Sequence, residues 1–179
     1  MIEKQILVLA RDCMAAMVPS GARIQLHEGT EVFLRQALGN SYTVDVFGNL
    51  ARIDAKDADA LGFEPVSPLD NISDDMPLQE RVWEVLNSVF DPEIPVNIVD
   101  LGLIYDVSLD EVEDGLFVVT VTMTLTAPGC GMGPVIAEDV KYSVQLLPEV
   151  MDVTINLVFD PPWDKSMMSD LAQLEMGML

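Results

Sequence analysis

The chain has 179 residues, half of them hydrophobic, with thirty acidic residues against nine basic ones and a formal net charge of −21. That surface repels phosphate backbones and anionic membranes, so nucleic-acid and membrane binding are not expected, whereas basic protein partners or cations are compatible with it. No apolar run approaches 18 residues, Ile6-Leu7-Val8-Leu9-Ala10 is too short for a signal segment, and two distant cysteines make no disulfide framework, which together predict a soluble, cytoplasmic protein with reduced thiols.

Residues 1–62 contain short β-like runs broken by glycine. Arg23-Ile24-Gln25-Leu26 alternates, His27-Glu28-Gly29-Thr30 reads as a turn, and Glu31 to Arg35 follows. Tyr42 to Phe47 and Leu50 to Ile53 flank Gly48-Asn49, a dipeptide that favours a two-residue hairpin loop. The expectation is a small all-β unit of three to five strands. Cys13 follows Arg11, whose charge could lower a thiol pKa; a packed structural thiol is the favoured reading. His27 has no Cys or His at ligand spacing and reads as a turn residue.

Residues 63–76 carry two prolines and an acidic-polar run, which marks a linker. Pro77 then opens a helix with Asp74 and Asp75 as candidate caps. Leu78, Val82, Val85, Leu86, Val89 and Phe90 share one face of it. Asp91-Pro92-Glu93-Ile94-Pro95 ends the helix, because each proline disfavours a helical residue before it. Asp91 and Asp100 read as caps of backbone N–H groups in the following loop; Glu93 is left open as a candidate metal ligand.

Leu103 to Leu109 alternates as a strand, Asp110 to Gly115 is an acidic loop, and Val119, Val121, Met123 and Leu125 share one face of a second strand. On its other face Thr120, Thr122 and Thr124 are expected to meet solvent, and Thr126 to help line a site. The second strand runs into Thr124-Leu125-Thr126-Ala127-Pro128-Gly129-Cys130-Gly131-Met132-Gly133-Pro134, with three glycines, two prolines and Cys130. Pro134 suits the first turn of the next helix, which carries Ile136, Val140, Val144 and Leu147 on one face. Cys130 therefore falls just before a helix N-terminus, where a thiolate is favoured, although Glu138 and Asp139 compete for the same field. Gly129, Gly131 and Gly133 are expected to clear space for a ligand or partner reaching the sulfur; a small buried cysteine in a tight turn is the bland alternative.

Val153, Ile155, Leu157 and Phe159 give a third strand, so strand, helix and strand should form a right-handed crossover between parallel neighbours. The fold class is α/β: residues 77–179 form a two-layer α/β sandwich with a small mixed sheet (β-hairpin plus right-handed βαβ), preceded by the all-β unit. Pro161 and Pro162 fix an extended segment that aims Trp163 from the sheet end where Cys130 lies. Trp163, Met132, Met167 and Met168 either offer adaptable apolar surface to a partner or plug the end of the core.

Asp91-Pro92-Glu93-Ile94-Pro95, Asn97 to Tyr105, Thr126 to Cys130 and Pro161-Pro162-Trp163, four motifs in order over about residues 77–179, resemble the metal–sulfur cluster assembly factor family. This group includes PaaD-like proteins and the eukaryotic cytosolic iron–sulfur targeting factor. The leading segment, with Arg11-Asp12-Cys13, Gln36 to Gly39 and Asp57 to Gly62, looks like the extension of SufT-type bacterial members. The resemblance implies a non-enzymatic role in iron–sulfur protein maturation, with Cys130 as the key thiolate and Thr126, Gly129 and Gly131 around it. Many relatives have a Cys-Pro step where this chain has Cys130-Gly131. It also implies partners among cluster scaffolds, carriers and apo-clients, which Trp163, Pro161, Pro162, Met132 and Met167 would meet.

A four-cysteine site cannot be made from Cys130 and Cys13 alone, so any cluster is expected to be labile, not tightly held in aerobic preparations, and shared between chains or completed by other ligands. A homodimer bridged through two Cys130 thiolates is one such arrangement. The competing reading is an adaptor that binds no cluster and docks clients through its acidic surface and the Trp163 region. A thiol enzyme is the weakest reading, since no histidine base lies near Cys130 in sequence.

Overall fold

The computed structural model describes residues 5–178. The leading segment folds into β1 (Gln5–Val8), β2 (Cys13–Val18), β3 (Arg23–Leu26), β4 (Glu31–Leu38), β5 (Ser41–Val46) and β6 (Asn49–Asp54). These pair antiparallel throughout, in the order β1-β4-β5-β6-β2-β3. Six strands exceed the three to five expected. Cys13-Met14-Ala15-Ala16-Met17-Val18 has one β-branched residue, so its strand character comes from pairing with β3 and β6 and not from propensity.

The β5–β6 hairpin lies one residue away from its expected place. Val46 pairs with Asn49, and the two-residue loop is Phe47-Gly48, both at positive φ (53° and 79°). Register decides this: Ala51 and Ile53 are fully buried in the unit's core, and a one-residue slip would turn them to the other face. A 3₁₀ segment, Ala55–Leu61, follows, and Phe63 stacks on Tyr42 with ring centroids 5.3 Å apart.

Residues 63–76 contain no helix or strand, and Leu69 and Ile72 rest on the second core. That core belongs to α1 (Leu78–Leu86), β7 (Ile104–Glu113), β8 (Leu116–Met123), α2 (Gly133–Gln145), β9 (Val150–Leu157) and α3 (Asp170–Glu175). β7 and β8 form a hairpin across Asp114-Gly115, and β9 lies parallel to β8 after the α2 crossover. The hairpin plus β-α-β arrangement is therefore the one read from the sequence. Val82, Val85 and Leu86 of α1 and Ile136, Val140 and Val144 of α2 are buried with Val119, Val121, Met123 and Val153 of the sheet. Burying each such side chain stabilises the fold by about 1.5–3 kcal/mol.

Two local expectations are corrected. α1 starts at Pro77 with no side-chain cap, so Asp74 and Asp75 do not close it. Thr120 and Thr122 are half-exposed, but Thr124 is fully buried. β8 ends at Met123, and the Thr124 N–H turns to the Leu103 carbonyl (2.8 Å), so strand alternation no longer sets which way the side chain points.

The two cores meet through β2. Cys13 and Ala15 face the leading unit's own core, whereas Ala16 and Val18 face the core that contains α1 and α2. Polar ties reinforce the contact. The Asn40 amide donates to Ser143 Oγ (2.8 Å) and Ser88 Oγ (3.2 Å), and the Arg52 guanidinium donates to Asp139 on α2 (2.5 Å) and to Asp54 (2.6 Å). The leading sheet thus adds a third layer to the α/β sandwich, covering α2 on the side away from β8 and β9.

Candidate functional site

Three segments converge at one end of the three-stranded sheet. Pairing of Met123 with both Ile104 and Leu157 brings together the start of β7 and the ends of β8 and β9. The loop before β7, the cysteine turn after β8 and the proline segment after β9 therefore share that end, which is where sites of open α/β sheets collect.

In the cysteine turn, the Cys130 N–H donates to the Ala127 carbonyl (3.3 Å) and the Gly133 N–H to the Cys130 carbonyl (3.1 Å), leading into α2 with Pro134 in its first turn. Cys130 is half-buried and unpaired, Thr126 is half-buried, and Ala127, Pro128 and Gly129 are exposed. The three glycines serve different ends. Gly129 adopts a left-handed conformation (φ 76°), with nothing within 4 Å of where a side chain would begin. At Gly131 a Cβ would meet the Pro19 and Ser20 carbonyl oxygens at 2.5 Å, and at Gly133 it would meet Leu125 at 2.7 Å. Space is open only at Gly129; the protein itself fills the other two positions.

Glu138 and Asp139, the acids near the start of α2, are each held by a guanidinium of the leading unit: Glu138 by Arg23 and Asp139 by Arg52. Neither acid lies in the first turn of α2, so both compete little for the helix N-terminal field. Burial, with Asp54 adding repulsion, nonetheless pushes the Asp139 carboxyl up to about 6 against the pull of Arg52.

The loop before β7 folds around Asp91, whose Oδ1 accepts from the Glu93 and Ile94 N–H groups, both at 2.9 Å. Burial raises the Asp91 pKa, opposed by those two bonds. Asp91 caps backbone donors as expected, but Asp100 instead accepts from the Asn97 side chain (2.7 Å). Glu93 is exposed, and among the described residues no group of three or more His, Cys, Asp or Glu is placed to hold a metal ion.

Trp163 is partly buried against the core, and its indole N–H donates to the Leu101 carbonyl at 2.7 Å. Tyr105 donates its hydroxyl to the Pro161 carbonyl at 2.7 Å, and the Ser169 N–H reaches the Asp100 carbonyl at 2.8 Å. Pro161 and Pro162 are exposed and Met167 is half-buried, whereas Met168 is buried and Met132, 2% exposed, fills the core.

The second thiol differs in kind. Cys13 is 6% exposed, and burial, reinforced by nearby Asp57, pushes its pKa up. Arg11 offsets this only in part, because its guanidinium is bound by Asp57 (2.9 Å) and Asp59 (2.6 Å), whose charges act the other way. His27 is exposed in the leading unit beside Asp12 (3.6 Å).

The family described as iron-sulfur cluster assembly protein matches residues 79–157, from α1 to the end of β9. A Porphyromonas gingivalis protein named Fe-S protein maturation auxiliary factor is 52% identical over 101 residues, which is 56% of this chain and 92% of that protein. The chain belongs to the iron–sulfur cluster assembly family. Fe-S protein maturation auxiliary factor SufT of Staphylococcus aureus is 47% identical over 89 residues, which is 50% of this chain and 97% of that protein. A crystal structure of a domain of unknown function, DUF59, from Bacillus anthracis superposes with a TM-score of 0.51 at 39% identity, covering 57% of this chain and 93% of that one. The family match begins at residue 79, so the leading sheet and residues 63–76 fall outside it. No helix among the described residues is long and apolar enough to cross a membrane.

The sequence did not disclose the residues that join the leading sheet to this domain. Arg52 lies between Ala51 and Ile53 in an alternating strand and should have faced water; instead all three are buried, since both faces of β6 are covered. A basic residue between two apolar ones was the available signal, and alternation alone reads it as exposed.

Proposed function

We propose that this chain takes part in iron–sulfur protein maturation by holding a cluster transiently on the Cys130 thiolate and passing it to client apoproteins. The observation that carries this reading is the contrast between its two thiols: Cys130 half-exposed on a turn that opens at Gly129, Cys13 sealed in the leading unit. Relatives named Fe-S protein maturation auxiliary factor support the maturation part of this reading. One accessible thiol per chain supplies one ligand, so the remaining ligands come from a second chain, a small thiol, or the donor and acceptor proteins themselves. A site completed from outside suits a cargo that must leave.

Transfer then needs no redox step. An incoming client thiolate displaces Cys130 from iron, and Cys130 recovers its proton from solvent. Thr126 and the exposed Ala127-Pro128-Gly129 stretch form the near rim that a donor or client would meet. Exposed Pro161 and Pro162, with half-buried Trp163 and Met167, offer a second contact surface on the segment that leaves the same end of the sheet. Cytoplasmic location and scaffold, carrier and apo-client partners follow from the same reading.

Anaerobic reconstitution with iron and sulfide, followed by visible absorbance and mass in solution, tests it. A coloured wild type and Cys13→Ser with a colourless Cys130→Ser supports the proposal, and a dimeric mass places the cluster between two chains. Colour that survives in Cys130→Ser removes Cys130 from the role. If all three proteins stay colourless, the reading passes to the adaptor that binds no cluster.

A further inference from the structure

Between the leading sheet and α2 lies a cavity of about 600 Å³ that touches none of residues 124–134. Its volume falls within the range of about 300–1,000 Å³ typical of small-molecule sites. We propose that this cavity binds a small organic anion with an apolar, planar body, its charged group held at the rim by Lys56 and Arg23.

The walls set the body. Met14 of β2, and Val135, Tyr142 and Leu146 of the α2 region, present apolar or aromatic surface, and the Pro65–Pro68 stretch closes one side. The inner wall is polar but occupied: buried Asn40 holds Ser143, and Arg52, its side chain 2% exposed, holds Asp54 and Asp139. These groups are fixed by one another and leave the apolar walls to contact a ligand.

The charge at the rim sets its sign. The chain has only nine basic residues, and Arg23, Arg52 and Lys56 all line this cavity. Three carboxylates line it too, namely Asp54, Glu138 and Asp139, so an anion meets no net repulsion here on a chain whose net charge is −21. Arg52 already binds Asp54 and Asp139. Arg23 pairs with Glu138, whose side chain is 69% exposed, and exposed pairs exchange readily with a competing carboxylate. Lys56 is 58% exposed, and its nearest carboxylate, Asp54, is 3.9 Å away, too far for a hydrogen bond. Charges of the two signs balance here, and among the described residues Lys56 is the one cation lining this cavity that no carboxylate holds at hydrogen-bond distance. Eleven of its sixteen lining residues lie outside the family match and none lies in the cysteine turn, so its ligand is separate from any cluster bound at Cys130.

A series that keeps one body and changes its charge tests the proposal on the full chain: indole-3-acetate, neutral indole-3-acetamide and cationic tryptamine, followed by amide chemical shifts. The expected result is saturable one-to-one binding of the acetate, with shifts centred on Val66, Val135 and Tyr142. The amide and the amine should bind at least about five-fold more weakly. Lys56→Glu, at an exposed position, should weaken acetate binding by a similar factor while the remaining spectrum stays unchanged, and Tyr142→Ala should weaken all three ligands. Equal affinity across the series, tighter binding of tryptamine, shifts centred elsewhere, or no saturation by about 10 mM acetate would each overturn it.

Discussion

Gly21 and Gly131 meet backbone to backbone: a Cβ on Gly21 would lie 2.1 Å from the Gly131 carbonyl oxygen. The β2–β3 turn of the leading sheet is therefore seated directly on the residue after Cys130. No side chain fits at that seam, which gives Gly131 a physical reason to be glycine in this chain.

Gly131→Ala should cost about 2–3 kcal/mol through overpacking against the Pro19 and Ser20 carbonyls. Gly129→Ala should cost about 1–2 kcal/mol from its left-handed backbone alone, because nothing lies in the way of the new methyl group. Urea unfolding of the two variants, with limited proteolysis between residues 63 and 76, checks both. Greater cleavage is expected for Gly131→Ala only, since that substitution alone loosens the seam.

The Asp139–Arg52–Asp54 cluster should give stability a definite pH dependence. One guanidinium faces two carboxylates, and the Asp139 carboxyl titrates near about 6 in the folded chain against an ordinary value of 3.8. The folded state holds this proton more tightly than the unfolded one. The stabilisation linked to it is complete below about pH 4 and is lost as pH rises through 6. Asp139→Asn should therefore gain on wild type between pH 4 and pH 7, by up to roughly 3 kcal/mol. Denaturation curves of both proteins at intervals across that range measure the difference. A difference that runs the other way would mean that Arg52 stabilises the charged carboxylate beyond its burial cost.

Thr124→Val should stabilise the protein by about 1 kcal/mol, because the shape is kept while a buried hydroxyl without a hydrogen-bond partner is removed. A rise in the midpoint of urea unfolding at unchanged slope is the expected outcome. A loss would show that the hydroxyl is satisfied in solution, for instance by a water.

Trp163→Phe deletes the donor to the Leu101 carbonyl and keeps most of the apolar contact, so it should cost about 1 kcal/mol. Hydrogen exchange should quicken in residues 161–169, which are tied to the loop before β7 through Trp163, Tyr105 and Ser169. If client maturation falls while exchange is unchanged, the indole meets a partner; if both change together, it acts by fixing that segment.

Much of this molecule follows from local sequence. The 3.6-residue spacing of Val82, Val85 and Leu86, and of Ile136, Val140 and Val144, fixes two helices with one buried face each. The first ends at Leu86 and not at Phe90 as the spacing predicts, since Phe90 pairs with Asn97. Alternation through β7 to β9 and Pro134 place the hairpin, the crossover and the cysteine turn, because turn chemistry and period act over a few residues. The acidic loop read over residues 110–115 is instead strand as far as Glu113, where pairing with β8 outweighs the poor strand propensity of acidic residues. The motifs around Asp91, Cys130 and Trp163 also identified the family.

What required the tertiary structure was which surface meets which. Ala15 and Ala16 look alike in sequence, yet they enter different cores; Arg52 is sealed by a partner 87 residues away; Gly131 is narrow because residue 21 approaches it. Local propensity carries no information about such pairs. They arise when a sheet with two usable faces docks on a helix, and only long-range packing decides which polar groups are buried, which glycines are crowded, and where a cavity remains.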